Sequence, residues 1–189
     1  MTHTYTARTH YCNNLNAQLE GSAVTLCGWV HRCRNLGGLL FIDLRDTSGI
    51  AQLFVDPAAV PEVGKRAAEL HEEYVITARG EVQMRPQEMR NPDMNTGDVE
   101  VKVEELVVEN EAKPMPFNLE DPAVSEDTRL KYRYLELRRS GLQQNLRLRH
   151  RVAKQSRDFF AEQGFAEVET PILSKSTPEG ARDYLIPSR

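Results

Sequence analysis

Hydrophobic and polar residues alternate in five segments of the first 108 residues, and a period of two is typical of strands that bury one face. In residues 39–46, LLFIDLRD, the side chains of Leu40, Ile42 and Leu44 share one face. The other segments are residues 24–34, 50–56, 74–85 and 98–108. Gly28, within the first of these segments, predicts a bulge or bend in that strand.

One helical pattern interrupts the strands. PEVGKRAAELHEE, residues 61–73, opens with a proline and repeats apolar residues at helical spacing. Three strands, a helix and two strands form the order of an OB-fold, a small Greek-key barrel of five strands. We therefore expect a mainly β fold, with an OB-fold domain over residues 1–108, although other small β-rich folds share this order.

The pattern changes after the fifth strand. Residues 109–140 begin with an acidic stretch that contains three prolines and has no period, so we expect a hinge or linker there. Residues 142–164 repeat apolar residues at helical spacing and end at Gly164, a common helix stop. FAEVETPIL, residues 165–173, predicts a strand. One helix and one strand cannot close an α/β core, so residues 141–189 are expected to be the incomplete start of a larger domain.

Phe41 is the residue that this pattern does not explain, because it falls on the polar face of its strand, beside charged residues. It is either covered by a loop, moved inward by a slip in parity, or displayed as a surface on which a base stacks. Stacking on an aromatic ring contributes about 1–3 kcal/mol per base. Arg32 and Arg34 project to one side of their strand, and Gln52 and Glu100 offer donors and acceptors for base edges. Together these residues predict a reader of single-stranded RNA.

The formal net charge of −4 conceals an uneven distribution. Residues 98–127 contain ten acidic and two basic residues, whereas residues 129–157 contain ten basic residues and one acidic residue. The basic block favours an anionic partner, although a charge run is also typical of a solvated face.

The remaining composition argues against several classes of protein. Three cysteines without a C-x-x-C pair and five scattered histidines predict neither a disulfide framework nor a metal site. No apolar run approaches eighteen residues, and the first ten residues are polar. We therefore expect a cytoplasmic protein with no membrane partner.

Four segments together resemble the bacterial type of aspartyl-tRNA synthetase, a class II family. They are LCGWVHRCRNLGGLLFIDLRD, RLKYRYLELRR, GFAEVETPIL and STPEGARDYLIPSR, and the resemblance covers nearly the whole chain. It implies an N-terminal OB domain that binds the anticodon, a hinge, and the beginning of a class II catalytic domain. The chain is accordingly expected to be an N-terminal fragment.

The resemblance also implies roles for residues of the barrel. Phe41 matches the aromatic on which an anticodon base stacks, and Gln52 matches the residue that reads this base. Arg34 and Glu100 match further anticodon contacts, and Arg32 is a candidate of the same kind.

Two further positions match loop residues that tune whether tRNA(Asn) is accepted beside tRNA(Asp). They are Leu36 and Glu88. Leu36 matches the selective type, whereas Glu88 stands where that type has lysine, so the resemblance leaves the selectivity open.

Residues beyond the hinge match the catalytic domain. Glu179 matches a loop glutamate that closes over the amino group of bound aspartate; without the resemblance, a solvated surface loop is the simpler interpretation. Phe159, Phe160 and Pro171 fall in the first class II motif, which implies a dimer interface, with a packed core as the alternative for the two aromatics.

The resemblance implies an aspartate–tRNA ligase and its reactants. This reaction uses ATP and Mg²⁺ to form aspartyl-adenylate from L-aspartate, and transfers the aspartyl group to the 3′ end of tRNA(Asp). The second and third class II motifs, which grip ATP and Mg²⁺, do not occur in these 189 residues, so we assign no catalytic residue and expect no bound cofactor.

Three other interpretations remain open on the residues alone. The chain could be a general single-stranded nucleic-acid-binding OB-fold protein, a sibling class II ligase for asparagine or lysine, or a truncated paralogue without catalytic duty.

The missing motifs generate a prediction. We expect the purified 189-residue chain to show no aspartate-dependent ATP–pyrophosphate exchange, because positioning and charge neutralisation of the phosphates supply most of the catalysis in such a reaction. A complete aspartyl-tRNA synthetase is the positive control. Exchange that rises with the concentration of the chain would contradict the prediction.

Overall fold

The computed structural model describes residues 7–173 and Pro187. The chain divides into two compact units, residues 1–116 and residues 117–189. Residues 7–116 of the first unit contain five strands and one α-helix: β1 Ala23–Leu36, β2 Leu39–Arg45, β3 Ile50–Val55, α1 Pro61–Ala68, β4 Val75–Met84 and β5 Val99–Asn110. This order confirms the OB-fold predicted from the alternating pattern.

The five strands close into a barrel in the order β1-β2-β3-β5-β4, with β4 returning to β1. Each strand pairs with its neighbours in antiparallel fashion, except that β3 and β5 run parallel. Side chains of one parity fill the interior, because a small barrel has room only for its own inward residues. The largest of these buried side chains include Leu26, Ile42, Leu44, Leu53, Ile76 and Leu106.

Gly28 is not the bulge that the sequence predicts. The register of β1 against β2 shifts between Val30 and Arg32, so the extra residue is His31. At Gly28 the two strands approach closely, since an added Cβ would lie 2.4 Å from the carbonyl oxygen of Arg45. The glycine therefore allows a backbone contact in the β1–β2 pair, while the bulge lies further along β1.

The second unit is helical, with α2 Glu126–Lys131, α3 Arg133–Glu136 and α4 Ser140–Glu162. The helix predicted before Gly164 is thereby confirmed, and Gly164 follows α4 with a φ of +84°. The strand predicted for residues 165–173 is wrong, because this segment has no regular secondary structure. A strand needs a hydrogen-bonded neighbour, and no strand of the described chain pairs with this segment.

Part of the basic block is neutralised within the second unit. The carboxylate of Glu136, which is 7% exposed, lies 3.5 Å from Arg129 and 3.0 Å from Arg139. Arg139 also donates a hydrogen bond to the backbone carbonyl of Asp121. These arginines hold short helices together, and on α4 and just after it Lys154 pairs with Asp158 and Arg157 pairs with Glu167. Across residues 7–173, no helix is both long and apolar enough to cross a membrane.

A buried carboxylate stabilises the turn between β2 and β3. Oδ1 of Asp46 accepts hydrogen bonds from the backbone and hydroxyl of Ser48 at 2.7 and 2.6 Å, and from the backbone of Gly49 at 3.2 Å. Its Oδ2 accepts from the backbone N–H of Cys12 at 2.8 Å. Burial alone would raise the pKa of Asp46, but the hydrogen bonds from Ser48, Cys12 and Gly49 hold it below its usual value.

Asp46→Asn is expected to destabilise the barrel by about 1–3 kcal/mol at pH 7, because the new amide would point N–H groups at backbone donors. A carboxyl whose pKa is lowered on folding stabilises the protein above its unfolded pKa, and this contribution is lost as the pH falls through the folded pKa. The difference in free energy of unfolding between wild type and variant, which we call the stability gap, should therefore decrease below about pH 4.

Urea unfolding followed by the fluorescence of the single tryptophan, Trp29, measures this gap, because Trp29 lies in β1. Asp93→Asn, at an exposed position of the same unit, is the matched control and should change little. A gap between wild type and Asp46→Asn that is absent at pH 7, or that persists unchanged in acid, would contradict the role given to this carboxylate.

Candidate nucleic-acid interface

The pairing of β1, β2 and β3 places aromatic and charged side chains in rows on the outside of the barrel. Phe41 pairs with Arg34 on one side and with Phe54 on the other. Alternation along β2 is unbroken, so a slip in parity does not explain Phe41. Its half-buried ring lies 5.5 Å from the ring of Phe54, centroid to centroid, at an interplanar angle of 43°. The two rings form an outward aromatic surface beside an arginine.

Next to this surface, the guanidinium group of Arg34 in β1 contacts side chains of both β2 and β3. Nη2 of Arg34 donates to Oδ1 of Asp43 at 2.8 Å and to Oε1 of Gln52 at 3.1 Å. The Arg34 side chain remains 41% exposed, so solvent or a ligand still reaches it.

The hydrogen bonds continue across β5 to β4. Nε2 of Gln52 donates to Oε2 of Glu100 at 2.7 Å, and Nε2 of Gln83 donates to Oε1 of the same carboxylate at 2.7 Å. Glu100 is 5% exposed and Gln52 is 9% exposed. One chain of hydrogen bonds, Arg34–Gln52–Glu100–Gln83, therefore connects four of the five strands, and we call it the polar chain.

The structure thus brings together four of the residues proposed from the sequence: Arg34, Phe41, Gln52 and Glu100. Arg32 lies beside them, because it pairs with Asp43 across the β1–β2 ladder and its side chain is exposed. The side chain of Arg32 forms no hydrogen bond or ion pair with any other residue that the structure describes. Its charge is available to a phosphate.

Leu36 and Glu88 lie apart from the polar chain. Leu36 is 59% exposed at the tip of the β1–β2 hairpin, where Gly37 and Gly38 both have positive φ. Such a two-residue turn keeps the hairpin tight. Glu88 is exposed in a short 3-10 turn after β4, Gln87–Met89.

Sequence reasoning missed four residues near this surface: Phe54, Lys102, Arg85 and Gln83. Phe54 and Lys102 pair across β3 and β5, and the alternation that placed Gln52 and Glu100 outside could have identified both. Arg85 has no such signal, because it lies just past the end of β4.

Arg85 is nevertheless close to the polar chain. Its side chain is buried, and its Nε donates to the carbonyl oxygen of Val99 at 2.9 Å. Burial lowers the pKa of Arg85, whereas the nearby carboxylates of Glu100 and Asp43 favour its charged form. A second guanidinium group therefore lies near Glu100, because Val99, whose carbonyl oxygen it contacts, is the preceding residue.

Three of the residues proposed for the second unit lie in α4 or after it. Phe159 and Phe160 are 58% and 53% exposed on α4, with ring centroids 5.5 Å apart. Pro171 lies in the irregular segment after α4 and is exposed. Glu179 lies outside the described residues.

The described part of the chain offers no group of three or more histidine, cysteine, aspartate or glutamate residues that could hold a metal ion. Cys12, Cys27 and Cys33 form no disulfide bond.

The geometry around Phe41 suits an unpaired base. A flat ring gives a stacking surface, and the polar chain beside it offers amide and guanidinium donors together with carboxylate and amide acceptors. Exposed arginines at the same face can neutralise phosphates.

Two family models match the chain. The model described as "OB-fold nucleic acid binding domain" matches residues 24–109. The model described as "tRNA synthetases class II (D, K and N)" matches residues 125–189.

The chain is also similar to named proteins. It is 52% identical over 183 residues to the "Aspartate--tRNA(Asp/Asn) ligase" of Dictyoglomus turgidum and 54% identical to that of Syntrophotalea carbinolica. Each alignment covers 96% of this chain and 31% of the relative, so the chain spans about a third of the length of these relatives. The solved structure of asparaginyl-tRNA synthetase from Pyrococcus horikoshii is similar with a TM-score of 0.78 at 27% identity, covering 87% of this chain and 38% of that one.

Proposed function

Because the chain belongs to the class II aspartyl-tRNA synthetase family, we propose that its barrel recognises the anticodon of tRNA(Asp) for an aspartate–tRNA ligase. The single observation that carries this proposal is the position of Phe41 beside the polar chain. An unpaired base stacked on Phe41 would present its edge to Gln52, and Arg32 and Arg34 would meet the adjoining phosphates.

The similarity in sequence favours aspartate over the sibling ligases. Relatives named as ligases for aspartate are about half identical to this chain. A general single-stranded binder would account for the aromatic surface, but it leaves the match to a class II synthetase over residues 125–189 without a reason.

The complete reaction is proposed for a protein of the relatives' length. Such a protein would activate L-aspartate with ATP and Mg²⁺ and transfer it to the 3′ end of tRNA(Asp) in the cytoplasm. The second and third class II motifs do not occur in the 189 residues, so no step involving ATP is assigned to them. Glu179 is proposed to cover the amino group of the bound aspartate.

A homodimer is proposed for the same protein, with α4 at the subunit interface. Several of its apolar residues are more than half exposed in this chain, among them Phe159 at 58% and Phe160 at 53%. An apolar face of this kind marks a surface that is normally covered. Pro171 would lie in the same region.

Phe41→Leu is expected to weaken the binding of the aspartate anticodon stem-loop about 5- to 100-fold, because a base loses its stacking surface. Phe41→Tyr, which keeps the ring, should bind as the wild type does. Fluorescence anisotropy with a labelled stem-loop measures both, and the fluorescence of Trp29 during urea unfolding checks that each variant is folded.

Phe165→Leu makes the same change at a ring that is 67% exposed in the second unit, and it should leave affinity unchanged. Equal wild-type affinity for the aspartate loop and for a scrambled loop would favour the general single-stranded binder instead. An equal loss of affinity for the aspartate stem-loop in Phe41→Leu and Phe165→Leu would refute the assignment of base stacking to Phe41.

Recognition of tRNA(Asn) is a second candidate activity. The names of the relatives include both tRNA(Asp) and tRNA(Asn). Exposed Glu88 stands where the selective type of the family has lysine, although Leu36 matches the selective type. We therefore propose that Glu88 weakens discrimination between the two anticodons, which differ in their third base.

Glu88→Lys is expected to increase the ratio of affinities for the aspartate over the asparagine stem-loop by about 3- to 10-fold, since each base contact contributes on the order of 1 kcal/mol. The ratio is used because an added lysine attracts both RNAs equally through their phosphates. Glu20→Lys, an identical charge change at an exposed residue, should raise both affinities and leave the ratio constant. An unchanged ratio in Glu88→Lys would remove Glu88 from the discrimination.

A further inference from the structure

Gln83 is the member of the polar chain that neither the alternating pattern nor the resemblance assigns. It lies on β4, is half-buried, and pairs with Glu100 across the β4–β5 ladder. Its side-chain Nε2 donates a 2.7 Å hydrogen bond to Oε1 of Glu100. Glu100 in turn holds Gln52, so Gln83 is one residue removed from the group proposed to meet the base.

The charges at the two ends of the polar chain fix the orientation of the Gln52 amide. A guanidinium group only donates, so the Gln52 atom facing Arg34 must be the oxygen. A carboxylate only accepts, so the Gln52 atom facing Glu100 must be the nitrogen. Rotation of the amide by 180° would set donor against donor and acceptor against acceptor.

Glu100 can hold Gln52 only while its own carboxylate faces that way. The buried guanidinium group of Arg85 lies close by, since its Nε donates to the backbone carbonyl of Val99, the residue before Glu100. The hydrogen bond from Gln83 occupies Oε1 and leaves Oε2 for Gln52. Without Gln83, the nearly buried carboxylate is free to turn toward Arg85 and to release the Gln52 amide.

The orientation of the amide matters because the base edges have opposite polarities. Gln52 retains one N–H and one oxygen lone pair beyond its bonds in the polar chain. Uracil and guanine present a keto oxygen beside a ring N–H, whereas cytosine and adenine present an amino group beside a ring nitrogen. Stacking on Phe41 sets the plane of the base. An amide of Gln52 held in one orientation then pairs with only one of these two kinds of base edge, whereas an amide that can rotate pairs with both.

We propose that Gln83 is a positioning residue that locks the Gln52 amide through Glu100 and so sets which class of base edge, keto or amino, the barrel accepts. The inference rests on the proposed function, because it takes an unpaired anticodon base as the group that Gln52 meets.

The test compares two stem-loop RNAs that differ only at the central anticodon base, uracil against cytosine. Uracil is the base that pairs with the central adenine of aspartate codons. Gln83→Met keeps the length of the side chain and removes its donor. In this variant we expect the ratio of uracil-loop to cytosine-loop affinity to fall about 3- to 10-fold, the range expected for one lost polar discrimination. Anisotropy titrations with the 189-residue chain supply the ratios.

Two variants separate positioning from a general structural role. Gln83→Lys retains a donor toward Glu100, and it should restore the wild-type ratio even if its charge raises both affinities. Gln18→Met makes the same substitution at an exposed glutamine outside the polar chain, and its ratio should equal that of the wild type. Gln83→Ala serves as the second deletion variant if Gln83→Met does not fold, as judged by urea unfolding.

The outcomes distinguish this inference from the proposal beneath it. A wild-type chain that does not prefer the uracil loop overturns the proposed anticodon reading and the role of Gln83 together. A wild-type preference that survives in folded Gln83→Met overturns the role of Gln83 alone. A ratio that falls equally in Gln83→Met and Gln83→Lys also overturns it, because the loss would then not depend on the donor.

Discussion

Closure of the barrel is the constraint on which the rest of the first unit depends. Each strand has a neighbour on both sides, so a slip of one residue in any strand would turn a core side chain outward and a charged one inward. Leu40, Ile42 and Leu44 therefore stay inside, and Phe41 stays outside with Asp43. The aromatic surface is a consequence of the same register that builds the core.

The alternating pattern predicted this register because a half-buried strand repeats every two residues, and the five strands and α1 are all present. It misplaced the bulge of β1, since a glycine can serve a close backbone approach as well as a bulge, as Gly28 does. It also predicted a strand over residues 165–173 that the structure lacks. Local alternation says that a segment can form a strand, but only a pairing partner turns it into one.

The polar chain was harder to predict from the sequence than the strands were. Gln52, Glu100 and Gln83 are separated by many residues, and they meet only because β5 lies between β3 and β4. Gln52 and Glu100 could be proposed from their outward parity and their resemblance to known positions. Nothing local distinguishes Gln83 or Arg85 from other polar residues, since their significance comes from which carboxylate they face.

The contact between β3 and β5 is the shortest in the barrel, with only Leu53 and Phe54 in register against Val101 and Lys102. The hydrogen bond from Gln52 to Glu100 crosses this same seam. An RNA base that contacts both Gln52 and Glu100 would therefore stabilise the barrel where the fewest backbone residues are paired. The same side chains would then recognise the RNA base and help to close the barrel. Backbone amide protons of β3 and β5 should therefore exchange more slowly with solvent when RNA is bound at the polar chain.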